Sequence, residues 1–272
     1  MEISAHSVWQ DVARIRERAP LVHNITNYVV MNSTANALLA IGASPVMAHA
    51  VPEVEDMVGI AGALVINIGT LSDPWIEAME RAMKRAQALG TPIVLDPVGA
   101  GATPYRTRTV HRLLAAARPA IIRGNASEIR ACVSEAASTK GVDSTEGAEA
   151  AATDARRLAE QMSAVVVASG ETDYVTGEGC VLRVANGHPL MPRVTGLGCT
   201  ASALCGAFAA VNASPLRAAA HAMAVIGIAG ELAAERAQGP GTLQLYFLDA
   251  LYALNESHIA ARLRATSQRA GG

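Results

Sequence analysis

Residues 92–101 read Pro-Ile-Val-Leu-Asp-Pro-Val-Gly-Ala-Gly, an apolar run that ends in an acidic side chain and a glycine-rich turn. Other short, mainly apolar and uncharged runs occur along the chain, at residues 44–48, 63–68, 119–122 and 164–168. Helical patterns, such as those at 74–89 and 107–117, separate several of these runs. Continuous apolar strands that alternate with helices are typical of a parallel sheet covered on both faces. We therefore predict an α/β fold with a mainly parallel central sheet.

The segment 174–184 departs from this alternation. Two strand-like runs flank Gly-Glu-Gly at 177–179, a pattern that predicts a β-hairpin. Antiparallel hairpins are common at the edge of large parallel sheets. After residue 200 the pattern is helical almost to the end, and we expect residues 265–272 to form a loose tail. The chain shows neither a linker nor an internal repeat, so we predict one domain spanning 1–272.

The composition excludes several classes of protein. Of 272 residues, 51% are hydrophobic and 17% charged, which excludes a disordered chain. The 22 Lys and Arg nearly balance the 24 Asp and Glu, which argues against a nucleic-acid-binding surface. We interpret the long uncharged stretches at 199–216 and 218–230 as buried helices, because they contain polar residues that a membrane span would avoid. Four cysteines without a C-x-x-C pair favour a reduced, cytoplasmic location.

Ligands of open parallel sheets bind beyond the carboxyl ends of the strands. In this chain, four predicted strand ends, the last of them at Val194, are followed by segments that contain acids, an arginine or glycine turns. The four segments are residues 96–102, 123–128, 169–173 and 195–201. We expect them to meet at one edge of the sheet and to form the candidate site.

The turn at 195–201, Thr-Gly-Leu-Gly-Cys-Thr-Ala, precedes a long helical pattern. Its glycines, Gly196 and Gly198, leave backbone N–H groups free to face an anion such as a phosphoryl group. The turn also matches the G-x-G-x-x-A dinucleotide pattern. However, it lies late in the chain, and the next acid, Glu231, comes too late to contact a ribose. The alternative interpretation is that these glycines have no binding role and simply allow close packing between the strand and the helix.

Cys199 lies at the start of that helical pattern, where the helix dipole favours a thiolate. We predict that it acts as a general base near a substrate hydroxyl or as a covalent nucleophile. The remaining cysteines, Cys132, Cys180 and Cys205, are interpreted as small buried hydrophobic residues.

Two carboxylates, Asp96 and Glu128, are the candidate ligands of a magnesium ion, which phosphoryl-transfer sites hold with one or two carboxylates, waters and substrate phosphates. Asn125 lies three residues before Glu128 and would share its face of a helix. An acid in a first helical turn can also simply interact with the dipole. Arg123, at a predicted strand end, is well placed to hold a phosphate through two hydrogen bonds.

Six blocks between about residues 20 and 249 resemble, in order, the hydroxyethylthiazole kinase family of the ribokinase-like superfamily. They read VHNITN at 22–27, GASPVMA at 42–48, LDPVGAG at 95–101, GNASE at 124–128, KGVDS at 140–144 and TGLGC at 195–199. The resemblance implies a three-layer fold with helices on both faces of the sheet. It also implies transfer of the γ-phosphoryl group of ATP to the primary alcohol of 4-methyl-5-(2-hydroxyethyl)thiazole, with Mg²⁺, in thiamine salvage.

The same resemblance assigns roles to individual residues. Arg123 would contact an ATP phosphate, and Ser169 would lie by the nucleotide, where the family more often has threonine. We add Asn125 and Gly198 to the expected ATP-binding set. The expected substrate-binding residues are Met47, Gly196, Asn24, Thr26 and Asn27. The family forms homotrimers with active sites at the subunit interfaces, which we also expect here.

Most ribokinase-like enzymes have aspartate where this chain and the thiazole kinases it resembles have cysteine. Phosphoryl transfer depends mainly on positioning and charge neutralisation, so a strong base is not essential. A kinase for another alcohol, such as hydroxymethylpyrimidine, is an alternative function.

Two other classes of protein remain as alternatives. An acyl-transfer enzyme could use Cys199 with His23 or His49, although no orienting acid can be placed near either histidine. A non-catalytic binding module is disfavoured, because two acids and a cysteine together indicate chemistry. A P-loop kinase is excluded, since neither Lys84 nor Lys140 lies in the required motif.

Overall fold

The structure, a computed structural model, describes residues 2–133 and 146–269. Nine strands occur among these residues: β1 (Leu21–Ile25), β2 (Ser44–Val46), β3 (Ala63–Asn67), β4 (Ile93–Asp96), β5 (Ile121–Asn125), β6 (Val165–Ser169), β7 (Asp173–Gly177), β8 (Cys180–Val184) and β9 (Ala265–Arg269). The helices of the described residues are α1 (Ala5–Arg18), α2 (Met31–Ile41), α3 (Val54–Ile60), α4 (Asp73–Leu89), α5 (Pro104–Ala116), α6 (Ala126–Val133), α7 (Glu146–Met162), α8 (Leu197–Ala209), α9 (Pro215–Ala234), α10 (Pro240–Ala253) and α11 (Glu256–Arg262).

All nine strands form one sheet in the order β2-β1-β3-β4-β5-β6-β7-β8-β9. The strands from β2 to β6 pair in parallel, and the pairs from β6 to β9 are antiparallel. The predicted parallel sheet and its antiparallel edge are therefore confirmed. Glu178 and Gly179 form the hairpin turn with φ of 52° and 71°, and the paired positive values suit the right-handed twist of the strands.

Two sequence-based expectations fail in this part of the fold. The chain after Arg264 is not loose throughout, because Ala265–Arg269 forms β9 and pairs with β8. Backbone hydrogen bonds to the open edge of β8 form this strand. Such bonds do not require apolar side chains, so no apolar run in the sequence marks the strand. No strand ends at Val194, which instead follows a short 3₁₀ helix at Met191–Arg193. The KGVDS block at 140–144 lies outside the described residues.

The core consists of two apolar layers, one on each face of the sheet. Side chains of successive strand residues point to opposite faces, and β3 illustrates the result. Val65 joins the layer formed mainly with α1, α2, α8 and α9, whereas Leu64 and Ile66 join the layer formed with α3 to α7. The predicted covering of both faces of the sheet by helices is confirmed.

Small residues let two helices pack closely within the first layer. By length and composition α9 could cross a membrane, but 83% of its apolar stretch is buried within the protein, as in a core helix. α8 lies against β1 and β3 at Gly206, which is buried. A Cβ atom on Gly206 would lie 2.6 Å from Val65 Cγ2 and 3.2 Å from Val22 Cγ1. A side chain at this position would therefore push α8 away from the sheet.

We predict that Gly206→Ala destabilises the protein, although alanine is the better helix former. Overpacking a core costs about 1–3 kcal/mol, whereas alanine gains only about 1 kcal/mol over glycine in a helix. Gly59→Ala in α3 is the matched control, because nothing lies within 4 Å of its added Cβ, and it should stabilise the protein. Urea unfolding of both variants measures the two effects. Equal stabilisation by both would contradict the close packing at Gly206.

Candidate functional site

The carboxyl ends of β3, β4, β5 and β6 meet the first turns of α8 at one edge of the sheet. Asn67 and Asp96 are register partners at the ends of β3 and β4. Asn125 and Ser169 are register partners at the ends of β5 and β6. Ser202 of α8 reaches the same edge and donates a hydrogen bond of 2.8 Å to Asp96. The segments that follow β4, β5 and β6 and the turn at 195–201 thus converge as expected.

The Asp96 carboxyl group is fully buried at the centre of this edge. Asn67 Nδ2 and Ser202 Oγ both donate to its Oδ2 at 2.8 Å, whereas Oδ1 is buried and has no hydrogen-bond partner among the described residues. Burial raises the pKa of Asp96 to about 7, and the negative charge of Glu128 adds to this rise. The charge of Arg123 and the two donated hydrogen bonds oppose it. Asp96 therefore changes protonation state near neutral pH.

The Cys199 thiol lies in the first turn of α8, close to that carboxyl group. Asn27 Nδ2 donates to its Sγ at 3.5 Å. Burial raises the pKa of Cys199 to about 11, and the charge of Asp96 raises it further, against smaller opposing effects of Asn67, Asn27 and Arg123. The expectation that the helix dipole yields a thiolate is therefore wrong, because desolvation and a neighbouring carboxyl group outweigh it. At neutral pH this side chain is a thiol.

The Arg123 guanidinium lies against the first turn of α8, because residue 198 has no side chain. A Cβ atom on Gly198 would lie 2.9 Å from Arg123 Nη1. Arg123 Nη2 donates to Ser169 Oγ at 2.8 Å, and Nε is buried with no hydrogen-bond partner in residues 2–133 and 146–269. Gly196 caps the helix with a φ of 86°. A guanidinium beside free backbone N–H groups at a helix N-terminus is suited to binding an anion.

Glu128 and Asn125 bind each other across the junction of β5 and α6. Asn125 Oδ1 accepts from the Glu128 backbone N–H at 2.9 Å, and Glu128 Oε2 accepts from the Asn125 N–H at 2.8 Å. Asn125 ends β5 and caps α6, so the expected shared helix face is wrong. Glu128 Oε1 also accepts from the Gly99 N–H at 2.8 Å, and this carboxylate thereby connects two loops of the site.

The side chains expected at the substrate lie at the ends of β1 and β2. Asn24, Thr26 and Asn27 are buried, and Asn24 Oδ1 has no hydrogen-bond partner within the part of the chain that the structure describes. Met47 follows β2 directly and is partly exposed. A Cβ atom on Gly196 would lie 2.7 Å from Val30 Cγ1, which brings the turn before α8 next to the segment after β1. The expected substrate side therefore adjoins Cys199.

Sequence reasoning missed two polar residues of this site, Asn67 and Ser202. Asn67 Oδ1 accepts from Asn27 Nδ2 at 2.9 Å, while its own Nδ2 donates to Asp96. Asn67 thereby connects the ends of three strands. A lone amide within the otherwise apolar run 63–68 was the available signal. Ser202 comes three residues after Cys199 and therefore shares its helix face.

Two cavities lie outside the group of polar strand ends, although one of them adjoins the turn at 195–201. One of about 860 Å³ is at the opposite edge of the sheet, where Pro92, Ala120 and Thr176 line it. Another, of about 300 Å³, lies between α2, the turn before α8 and α10. Neither is lined by the polar strand ends described above. We place the candidate site at those strand ends, because the groups capable of chemistry converge there.

The chain matches the model of the hydroxyethylthiazole kinase family over residues 12–257. It is 64% identical over 265 residues to the hydroxyethylthiazole kinase of Syntrophus aciditrophicus, covering 97% of this chain and 98% of that protein. The solved structure of a hydroxyethylthiazole kinase protein from Pyrococcus horikoshii OT3 has a TM-score of 0.90 and 45% identity, covering 97% of this chain and 100% of that one.

A more distant solved structure shows the fold alone. A ribokinase-like superfamily protein from Enterococcus faecalis V583 has a TM-score of 0.61 at 12% identity, over 85% of this chain and 86% of that one. The expected ribokinase-like architecture is confirmed.

We predict that Asp96→Asn stabilises the protein more at pH 8 than at pH 5, without divalent cations. The folded pKa of Asp96, about 7, lies above the unfolded value near 4. Such a raised carboxyl pKa favours the folded state at low pH, and this contribution is lost as pH rises through the folded pKa. A neutral amide avoids that loss. The free energy of unfolding that Asp96→Asn gains over the unmodified protein should therefore be about 2 kcal/mol larger at pH 8 than at pH 5.

Urea unfolding at the two pH values measures this difference. Asp249→Asn, at an exposed position of α10, is the control and should show no such dependence on pH. A larger gain for Asp96→Asn at pH 5 would show that Asp96 is ionised more easily in the folded protein than in the unfolded chain.

Proposed function

The chain belongs to the hydroxyethylthiazole kinase family, and we propose that it transfers the γ-phosphoryl group of ATP to the primary alcohol of 4-methyl-5-(2-hydroxyethyl)thiazole. The observation that carries this proposal is the contact between Arg123 and the first turn of α8 at Gly198. A cation and free backbone N–H groups there face the side of the site where Cys199 lies. That arrangement suits a phosphoryl group that moves between two oxygen atoms.

The nucleotide side of the site is formed by β5, β6 and α8. Arg123 would bind an ATP phosphate, with its guanidinium oriented by Ser169 Oγ. Gly198 admits that guanidinium and leaves its own N–H facing the phosphate. Asn125 would contribute mainly by capping α6, since its Oδ1 already accepts two hydrogen bonds, one of them from Ser127. The negative charge that develops on the phosphoryl oxygens is thereby matched by fixed positive groups.

The alcohol side of the site is formed by Asn24, Thr26, Asn27, Met47 and Gly196. With a pKa of about 11, Cys199 would contact the substrate hydroxyl as a neutral thiol and position it. A loose transition state places little demand on an early proton transfer. Orientation of the hydroxyl is therefore the main contribution of the thiol.

Asp96 and Glu128 would hold a magnesium ion. Their fit rests on the buried Oδ1 of Asp96, which has no hydrogen-bond partner among the residues that the structure describes, and on the charge of Glu128, which raises the pKa of Asp96. The described residues contain no group of three or more His, Cys, Asp or Glu side chains arranged for a metal. In proteins Mg²⁺ usually keeps several waters and is bound by one or two carboxylates. When bound, Mg²⁺ would neutralise charge on the ATP phosphates.

We also propose a homotrimer with active sites at its subunit interfaces, acting in thiamine salvage in the cytoplasm. Tyr28 and Val29 directly follow Asn27 and are 65% and 69% exposed. Adjacent exposed apolar side chains at the edge of a site favour a protein partner. Particle mass in solution tests the trimer.

The proposed cytoplasmic location rests on the four free cysteines, which suit a reducing compartment.

Phosphorylation of a different alcohol, such as hydroxymethylpyrimidine, is the alternative kinase function. The acyl-transfer alternative is weakened by the state of Cys199, because its Sγ accepts a hydrogen bond from the Asn27 amide and its raised pKa keeps it a thiol. His23 Nε2 instead bonds to the Ala48 carbonyl oxygen at 2.8 Å.

We expect the purified protein to release ADP when ATP, Mg²⁺ and the thiazole alcohol are all present. Mass spectrometry should identify the phosphate ester of the alcohol as the second product. Parallel reactions with hydroxymethylpyrimidine, and without Mg²⁺, are the controls. Product from the pyrimidine alone would support the alternative kinase function. Absence of ester from both alcohols would contradict the proposal.

Cys199→Ala is expected to lower kcat without abolishing activity. Since the group is a thiol at neutral pH, its loss should cost less than the roughly 100-fold or more that follows loss of a general base. The ADP-release assay measures kcat, and Cys180→Ala in β8 is the control that should leave it unchanged. Complete loss of activity in a folded Cys199→Ala protein would instead indicate covalent catalysis.

A further inference from the structure

The Trp75 ring contacts two aromatic rings from other segments, Tyr28 and His49, beside the proposed alcohol side of the site. The Tyr28 and Trp75 ring centroids are 4.8 Å apart with a tilt of 40°, and those of His49 and Trp75 are 4.5 Å apart with a tilt of 54°. Tyr28 lies in the turn after β1, His49 in the loop after β2, and Trp75 in the first turn of α4. Trp75 therefore contacts both of the other rings.

The two segments that rest on Trp75 also carry residues of the proposed alcohol side. Tyr28 directly follows Asn27, whose Nδ2 lies 3.5 Å from Cys199 Sγ. His49 comes two residues after Met47. A shift of either ring would consequently move a residue that we assign to the alcohol. The residues assigned to ATP lie in β5, β6 or α8, and none of them is in these two segments.

A second contact, made by His23, holds the loop after β2 in place. His23 on β1 is fully buried, and burial lowers its pKa, so the ring is neutral at physiological pH. Its Nε2 lies 2.8 Å from the Ala48 carbonyl oxygen. Because that oxygen can only accept, Nε2 carries the proton and donates it. The backbone between Met47 and His49 is thus held by His23 on one side and by Trp75 on the other.

We propose that Trp75 is a positioning residue that sets the affinity of the enzyme for its heteroaromatic alcohol. Only 6% of Trp75 is exposed, and the contacts of its ring with Tyr28 and His49 are the route by which it would act on the site. The rings form a contact chain from α4 to both substrate segments, and edge or offset contacts of this kind fix the relative orientation of aromatic side chains. This proposal rests on the proposed function and adds a determinant of specificity to it.

Steady-state kinetics of Trp75→Ala with 4-methyl-5-(2-hydroxyethyl)thiazole test this proposal. We expect KM for the alcohol to rise about tenfold, with KM for ATP changed less than twofold and kcat less than threefold. Trp75→Phe keeps an aromatic ring on α4 and should restore most of the affinity. Trp9→Ala is the matched control, because that indole lies on α1 against Arg16. It should leave both KM values unchanged.

Equal changes in both KM values, or a lower melting temperature with unchanged KM values, would overturn the positioning role. So would failure of Trp75→Phe to restore affinity. If the unmodified protein phosphorylates no thiazole alcohol, the proposed function falls and this proposal with it. Normal turnover with an unshifted KM in Trp75→Ala overturns this proposal alone.

Fluorescence provides a test that does not require Trp75→Ala to fold. The chain has two tryptophans, Trp9 and Trp75, so Trp9→Phe leaves Trp75 as the only indole. Titration of that variant with the thiazole alcohol, without ATP, should change the Trp75 emission with the same midpoint as calorimetric binding. Binding detected by calorimetry with no change in emission would overturn the proposal.

Discussion

The close approach of α8 to the sheet governs both the core and the functional site. Gly206 allows the middle of the helix to lie on Val22 and Val65, and Gly198 allows Arg123 to lie against its first turn. The two glycines thus allow α8 to lie close to the sheet and to Arg123. This short distance brings Ser202 within hydrogen-bond distance of Asp96. Side chains at these two positions would separate the anion-binding turn from the acids at the strand ends.

Burial at this edge has an electrostatic cost that shapes the chemistry. Desolvation is the largest influence on both Asp96 and Cys199, and it raises both pKa values. The hydrogen bonds from Asn67 and Ser202 only partly offset it at Asp96, whose Oδ1 has no hydrogen-bond partner in the described part of the chain. Groups kept in such unfavourable environments are typical of functional sites. A cation that enters the site would relieve this electrostatic cost.

The fold and the general place of the site follow from the sequence because both rest on repeated local patterns. Runs such as 92–96 predict strands by composition alone, and parallel pairing then brings their polar ends together. Three-dimensional effects explain the failures. The state of Cys199 depends on burial and on a charge distant in sequence, and β9 depends on an edge that only the folded sheet offers. Asn67 and Trp75 act through contacts with segments that no local pattern connects.

The short strand β2 has a consequence for how copies of the protein can associate. It forms one margin of the sheet, is three residues long, and contains Pro45 opposite Val22 of β1. Proline has no N–H to offer a further strand, and so short a margin exposes few backbone groups. Edge-to-edge growth of the sheet, the route by which exposed strands nucleate fibrils, is therefore blocked on this side. Ordered assembly must instead use the other margin of the sheet, at β9, or the helices and loops.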